Sequence, residues 1–144
     1  MSGNLRFILA ASVLAVVGAA AFSVGQSTGQ EKAAGKPRLY EMRTYTALPG
    51  RLDALNKRFR DHTMKLFEKH GMRNEMYWVP IDEPLSQNTL IYIVSHDSAE
   101  AAKKSWAAFV SDPDWIKARD ASEADGKIVA KVDKVYMTKT DYSK

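Results

Sequence analysis

The chain has 144 residues and a formal net charge of +4, and it is 45% hydrophobic and 26% charged. These are the proportions of an ordinary globular protein with room for one domain, so they exclude wholesale disorder, collagen and a coiled coil. It contains no cysteine, which excludes disulfides, thiolate metal sites, cysteine nucleophiles and an anchor on a lipidated cysteine.

Residues 1–25 differ from the rest of the chain. They contain one charged side chain, Arg6, followed by an apolar stretch from Phe7 to Phe22 and then small residues. A positive start, an apolar stretch and a small-residue exit are the parts of a secretory signal peptide, which predicts a periplasmic or secreted protein. The alternative is a membrane anchor through residues 7–22 that holds the domain outside the cytoplasm, although a spanning helix needs roughly 20 apolar residues.

Residues 26–37 are polar, contain glycine and lack large apolar side chains, which is typical of a flexible linker. Residues 38–142 are then the single folded domain. Positive and negative side chains are interspersed along this domain without a basic stripe. The sequence therefore predicts no nucleic-acid partner.

Strand and helix patterns alternate along the domain. The predicted elements are, in chain order, a strand at 39–46, a helix at 51–70, strands at 72–79 and 89–95, a helix at 99–110, a short helix beginning near Pro113, and a strand at 127–138. We expect Gly71 to end the first helix in left-handed geometry and Asp97 with Glu100 to form a capping box for the second. Ser111 or Asp112 is expected to cap the short helix, with Pro113 in its first turn.

The order β-α-β-β-α-β predicts an α+β fold, the ferredoxin-like plait, with one antiparallel sheet and helices on one of its faces. The segment 89–95 is expected to be a central strand because it is β-branched, aromatic and nearly free of polar residues. The uncovered sheet face would hold Tyr, Trp, Met and Ile side chains, and an apolar face of that size usually has a partner. We therefore expect a homodimer in which two sheets face each other and enclose a cavity.

Two stretches of the domain resemble a known family. The segment YEMRTYTALPGRLDALNKRFRDHTMKLFEKHGM, which begins at Tyr40, and the later WAAFVSDPDWIKA, which begins at Trp106, resemble a NIPSNAP domain. The resemblance implies a dimeric α/β barrel, a fold shared with small monooxygenases, haem-degrading enzymes and dehydratases. The family's own activity is poorly defined. Its mitochondrial members are not a guide here, because this chain carries an apparent export signal and only one domain.

The three histidines of the chain lie at positions 62, 70 and 96. His62 falls on the apolar stripe of the first predicted helix, between Phe59 and Leu66, where a core residue is expected. It is either a buried histidine that hydrogen-bonds a neighbouring group or a catalytic general base. His70 precedes the helix-ending glycine and is expected to be a cation favoured by the helix dipole, and His96 is expected to face solvent.

The first strand carries a set of polar residues. Glu41, Arg43 and Tyr45 share one face of this strand because side chains alternate with period two. They form either a Glu–Arg pair at the sheet edge or dimer seam, or a ligand-binding patch in the barrel cavity. In the second case Arg43 binds a carboxylate or carbonyl and Tyr45 donates a hydrogen bond. Trp78 and Tyr92 are further candidate ligand-binding residues, although aromatics on such strands belong more often to the core.

The sequence predicts no metal site. His62 and His70 are about 12 Å apart along a helix axis, too far to bind one ion, and no phosphate-binding loop, zinc-protease or serine-hydrolase motif is present. No motif specifies a cofactor.

Three functions remain open at this stage. The favoured one is an exported homodimer that binds a small apolar molecule without chemistry of its own. The second is a cofactor-independent monooxygenase or related barrel enzyme, in which His62 removes a proton from a substrate held by Arg43 and Tyr45. The third is a purely structural or protein-interaction dimer.

Overall fold

The computed structural model describes residues 37–143, so the predicted signal or anchor and nearly all of the linker lie outside the described residues. The elements are β1 (Leu39–Ala47), α1 (Leu52–Arg58), a π-helical turn (Phe59–Thr63), α2 (Met64–Lys69), β2 (Arg73–Trp78), a 3-10 turn (Leu85–Gln87), β3 (Thr89–His96), α3 (Ala99–Val110), α4 (Pro113–Ser122) and β4 (Val129–Met137). The predicted strands and helices are confirmed, with small shifts at their ends. None of the helices in this part of the chain has the length and apolar character needed to cross a membrane.

The four strands form one antiparallel sheet in the order β2-β3-β1-β4. Strand β3 is an inner strand, as its composition predicted, and Arg43 of β1 lies opposite Tyr92 of β3 and Lys134 of β4. The α+β ferredoxin-like plait is therefore confirmed. The dimeric barrel stays a prediction, because the structure contains a single chain.

The core lies between the helices and one face of the sheet. Leu55, Phe59 and Phe67 of the helical segment α1 to α2 are buried against Tyr92 and Val94 of β3. The ring of Tyr92 lies 5.1 Å from that of Phe59 and 5.8 Å from that of Phe67, measured between ring centroids. Aromatic packing thus fixes the helices over the inner strands, and it positions the polar residues that share this face.

The helix ends follow local capping rules. Gly71 adopts φ 76°, and its N–H and that of Met72 donate to the carbonyls of Glu68 and Phe67, so the predicted helix end is confirmed. Asp112 caps α4 by accepting from the backbone N–H of Asp114 at 2.7 Å.

The predicted capping box at the start of α3 is wrong. Ser98 is the cap, and its hydroxyl accepts from the backbone N–H of Ala101 at 3.1 Å. Asp97 pairs instead with Arg38, which precedes β1. Ser98 is one residue closer to α3 than Asp97, so its hydroxyl reaches the N–H of the third residue of the helix without a change in the backbone.

The π-helical turn changes which side chains of the first helical segment are buried. A π turn holds more residues than an α-helical turn, so it rotates the following side chains relative to the 3.6-residue stripe. Thr63 is buried, 1% exposed, and its hydroxyl donates to the carbonyl of Arg58 at 3.2 Å. His62 is exposed. Its predicted position on the apolar stripe is therefore wrong.

The other face of the sheet is not covered by helices. Trp78 on β2, Ile91 and Ile93 on β3, and Tyr40 and Met42 on β1 share this face, as the period-two pattern predicted. Trp78 is 44% exposed. We refer to this surface as the open face.

Candidate functional site

A buried carboxylate organises the polar residues beneath the helices. Glu41 is 0% exposed, and both of its oxygens accept hydrogen bonds. Arg43 Nε donates to Oε1 at 2.8 Å, and Trp106 Nε1 donates to Oε2 at 2.6 Å. His96 Nε2 lies 3.0 Å from Oε2. We call these four residues the Glu41 cluster.

Three elements bring the cluster together. Glu41 and Arg43 point towards the helices because they alternate with Tyr40 and Met42, which lie on the open face. His96 is the last residue of β3 and lies opposite Leu39, which is two residues from Glu41 and therefore on the same face of the sheet. Trp106 lies in α3, and its side chain points from this helix towards the sheet. The cluster therefore joins the sheet to its helical layer.

The hydrogen bonds keep Glu41 ionised despite its burial. Burial alone disfavours the charged carboxylate, but the hydrogen bonds from His96, Trp106 and Arg43 outweigh this effect and lower the pKa of Glu41 to about 2. Glu41 is thus an anion across the physiological range. Its role in the cluster is to fix the positions of its three donors.

Arg43 offers its remaining donors to a ligand. Its Nε is occupied by Glu41, and its guanidinium carbon lies 3.5 Å from the centroid of the Trp106 ring. Among residues 37–143 no side chain hydrogen-bonds its two terminal nitrogens, and 15% of the side chain is exposed. Burial opposes its charge, but Tyr92, Tyr45 and Glu41 raise the pKa of Arg43 above its ordinary value. The guanidinium is therefore a fixed cation with a free donor fork.

Two phenols lie beside this cation. Tyr92 is fully buried, and its hydroxyl has no hydrogen-bond partner in the described part of the chain. Burial raises the pKa of Tyr92 well above its ordinary value, so it is a neutral donor. The ring of Tyr45 lies 5.4 Å from that of Tyr92, measured between centroids. A cationic fork next to neutral hydroxyl donors is suited to bind a carboxylate or carbonyl oxygen.

The structure separates the predicted ligand-binding residues into two groups. Glu41, Arg43, Tyr45 and Tyr92 lie together beneath the helices. Trp78 is on the open face, because its neighbour Tyr77 takes the inward position and stacks on Tyr92 at 5.4 Å.

The predicted polar patch also lies on a different side of the sheet. The Glu41–Arg43 ion pair exists, but it is covered by α3 and is not at an edge of the sheet. The expectation that these polar residues line a cavity between two facing sheets is wrong, since they point away from the open face.

Sequence reasoning missed two members of the cluster. His96 was expected in solvent, yet it is 0% exposed and bonded to Glu41. Its spacing from Tyr92 and Val94 already assigns it to the inward face, so the period-two rule could have found it. Trp106 was not among the predicted site residues, and no local signal connects it to Glu41, which lies 65 positions away.

The exposed His62 lies apart from the Glu41 cluster. It lines an open groove of about 700 Å³ between the π turn, α2 and α4. His70 is half-buried, and its Nε2 lies 2.6 Å from Oδ2 of Asp112, the residue that caps α4. No group of three or more His, Cys, Asp or Glu side chains within the described residues could hold a metal ion.

The comparisons with known proteins agree with this architecture. The sequence profile of the NIPSNAP family matches residues 40–144. The chain belongs to the NIPSNAP family. Among curated proteins, none matches the sequence.

Several crystal structures share the fold. A NIPSNAP family protein of unknown function from Agrobacterium tumefaciens is 20% identical, with a TM-score of 0.63 over 76% of this chain and 94% of that one. A NIPSNAP-like domain protein from Burkholderia xenovorans is 14% identical, with a TM-score of 0.64 over 74% of this chain and 89% of that one. A monooxygenase of Streptomyces coelicolor, crystallised with nanaomycin D, is 13% identical, with a TM-score of 0.52 over 75% and 92%. At these identities the likeness concerns the fold.

Proposed function

We propose that this NIPSNAP domain binds a small, largely apolar molecule through a carboxylate or carbonyl oxygen held by Arg43. The observation that carries the proposal is the guanidinium of Arg43, which is fixed by Glu41 and Trp106 while its terminal nitrogens remain free. A pre-oriented fork loses little side-chain entropy when it binds a planar oxyanion. Tyr45 and Trp106, the neighbours of Arg43 that are only partly buried, would contact the apolar part of the ligand.

The unpartnered hydroxyl of Tyr92 supports the same proposal. A buried hydroxyl without a hydrogen bond costs about 1–3 kcal/mol, so a ligand oxygen that accepts from it would gain affinity. Nδ1 of His96 is likewise buried without a hydrogen-bond partner among the described residues. Both atoms belong to, or lie beside, the Glu41 cluster.

The test is a thermal-shift titration with 1-naphthoate and its neutral counterpart 1-naphthalenemethanol. We expect naphthoate to raise the Tm of the wild-type domain and the alcohol to raise it less. Arg43→Gln should lose most of the naphthoate response. Arg119→Gln is the matched control, because the guanidinium of Arg119 binds its surface neighbour Asp120 and lies outside the Glu41 cluster.

Each variant is compared with itself in the presence and absence of the probe, so a loss of intrinsic stability does not affect the result. An Arg43→Gln variant that responds as the wild type does would contradict the proposal. Wild-type protein that responds to neither probe would favour the alternative of a purely structural or protein-interaction dimer.

We also propose that the domain is a homodimer formed through the open face. Four strands about 4.8 Å apart and about eight residues long give the sheet a projected area of roughly 500 Å². The solvent-accessible area of this face is larger, because side chains protrude from it. That is the order of the ~800 Å² per partner in a standard interface. The centre of the open face is apolar, with Met42, Ile91 and Ile93 on its two inner strands. In a two-fold symmetric dimer the open face of one copy packs against the same face of the other, so apolar surface meets apolar surface.

Export is part of the proposal and rests on the N-terminal sequence. A protein cleaved after its apolar segment would have an intact mass that lacks about the first 25 residues. A retained anchor would leave the full mass and a membrane-bound domain. Mass spectrometry of the protein from the cell envelope and medium distinguishes the two.

A second candidate is a cofactor-independent barrel oxygenase that uses His62 as the base. It is favoured by the exposure of His62 in a groove that could admit a substrate, and by the fold shared with a monooxygenase. The oxygenase activity is measured as oxygen uptake with 1-naphthol as the substrate. His62→Ala should abolish this uptake while the Tm of the domain stays the same. Uptake that is equal in wild type and His62→Ala would contradict this role.

A further inference from the structure

The groove beside His62 has features of a second binding site, on the outer surface of the helices. It lies between the π turn and α2 on one side and α4 on the other. Its volume of about 700 Å³ is within the range of small-molecule sites, about 300–1,000 Å³. We call it the α4 groove.

The floor of the α4 groove is apolar. Leu66 and Ala118 are nearly buried at its base, and Ala121 lies beside them. The two alanines leave space because α4 presents no longer side chain at these positions. An apolar chain could therefore lie along the helix–helix seam.

The acids of the groove are already engaged. Asp61 pairs with Lys57, and Asp114 lies 3.1 Å from Lys69, a cation that it shares with Asp112. Glu68 accepts from Nδ2 of Asn74 at 2.9 Å. Their negative charge is thus partly neutralised or bound before any ligand arrives.

Two cations of the groove have no such partner. Lys65 and Lys117 line it from opposite helices, and neither forms an ion pair within residues 37–143. His62, beside Asp61, adds a polar side chain that the π turn directs outward. Two free ammonium groups over an apolar floor are complementary to an anion with an apolar tail.

We infer that the α4 groove binds an amphiphilic organic anion, with its carboxylate or phosphate held by Lys65 and Lys117 and its chain on Leu66, Ala118 and Ala121. This site is separate from the Glu41 cluster and does not require it. The ligand class is a medium-chain carboxylate or alkyl phosphate, which combines one anionic head with an apolar chain.

The test is isothermal titration calorimetry of the full chain with decanoate, decyl phosphate and the neutral decanol, each below its critical micelle concentration. The two anions distinguish a carboxylate from a phosphate source. We expect at least tenfold weaker binding of the preferred anion to the double variant Lys65→Gln/Lys117→Gln. Lys103→Gln/Lys104→Gln on α3 removes the same charge outside the groove and should bind as the wild type does.

A variant that fills the groove tests the site without a change of charge. Ala121→Phe should also weaken binding at least tenfold, because the ring would occupy the space above Ala118. Arg43→Gln shows whether decanoate binds at the Glu41 cluster instead of the groove, because Ala121→Phe and the double-lysine variant leave that cluster intact. Decanol binding equal to that of decanoate, equal loss in both double-lysine variants, or loss only in Arg43→Gln would each overturn the inference.

Discussion

Glu41 is both fully buried and ionised, two properties that rarely occur together in one side chain. A buried carboxylate persists only where hydrogen bonds and a positive partner offset its desolvation. Trp106, His96 and Arg43 supply those contacts from three elements. Single substitutions in the cluster should therefore change stability more than substitutions at comparable positions outside it.

Trp106→Phe tests the bond between α3 and the sheet. The change removes the 2.6 Å hydrogen bond to a charged acceptor, so we expect a loss of about 1.5–3 kcal/mol in the free energy of unfolding beyond the packing effect. Trp115→Phe is the control, because Trp115 packs on Phe109 with a centroid distance of 4.5 Å and, among residues 37–143, donates to no carboxylate. Urea denaturation measures both. Equal losses in the two variants would mean that the hydrogen bond adds nothing.

The depressed pKa of Glu41 makes a prediction about pH. Its folded pKa of about 2 is below the ordinary 4.5, so the unfolded chain binds more protons between these values and stability falls as the pH falls through that window. The full effect is about 3 kcal/mol, present above pH 5. The stability difference between wild type and Glu41→Gln, measured by urea denaturation, should narrow between pH 5 and pH 3. A constant difference would show that ionisation of Glu41 is not stabilising.

At the level of elements, the start of α4 is tied to the end of α2. Asp112 caps α4 and also binds His70 at 2.6 Å and Lys69 at 2.8 Å. The hydrogen bonds from Lys69 and His70 hold the pKa of Asp112 far below its usual range. One carboxylate thus joins two helices that are distant in sequence.

Asp112→Ala should therefore destabilise the domain more than Ser98→Ala. Ser98 caps α3, and in the described part of the chain its hydroxyl forms no hydrogen bond to another element, so its loss should cost about 1 kcal/mol. Asp112→Ala removes a cap and both interhelical contacts. Urea denaturation of the two variants at pH 7 gives the comparison, and a smaller effect at Asp112 would contradict the assigned link.

At the level of the whole molecule, the open face presents apolar side chains that the helices do not cover. Its apolar side chains would be covered in the proposed dimer. Ile93→Lys places a charge at the centre of that face and should shift the mass in sedimentation equilibrium from dimer to monomer. Val110→Lys is the control, since Val110 is an exposed apolar residue on α3. A monomeric wild-type protein, or a dimeric Ile93→Lys variant, would rule out this interface.

Much of the fold could be predicted from the sequence because its signals are local. Alternation along β1 placed Glu41, Arg43 and Tyr45 on one face, and the apolar composition of β3 identified it as an inner strand. Gly71 and Pro113 marked a helix end and a helix start through their own backbone preferences. The candidate site was predicted only in part, since the period-two rule assigned residues to a face but not to partners.

The sequence by itself determined the order of the elements, the helix end at Gly71 and the faces of the strands, because these depend on contacts within a few residues. Only the tertiary structure decided that His62 is exposed, since the π turn depends on how the helix packs and not on a 3.6-residue pattern. It also decided that His96 and Trp106 meet Glu41, across 55 and 65 positions of the chain. The groups that bind a buried charge are those close to it in the folded structure, and the spacing of residues along the sequence does not specify which groups these are.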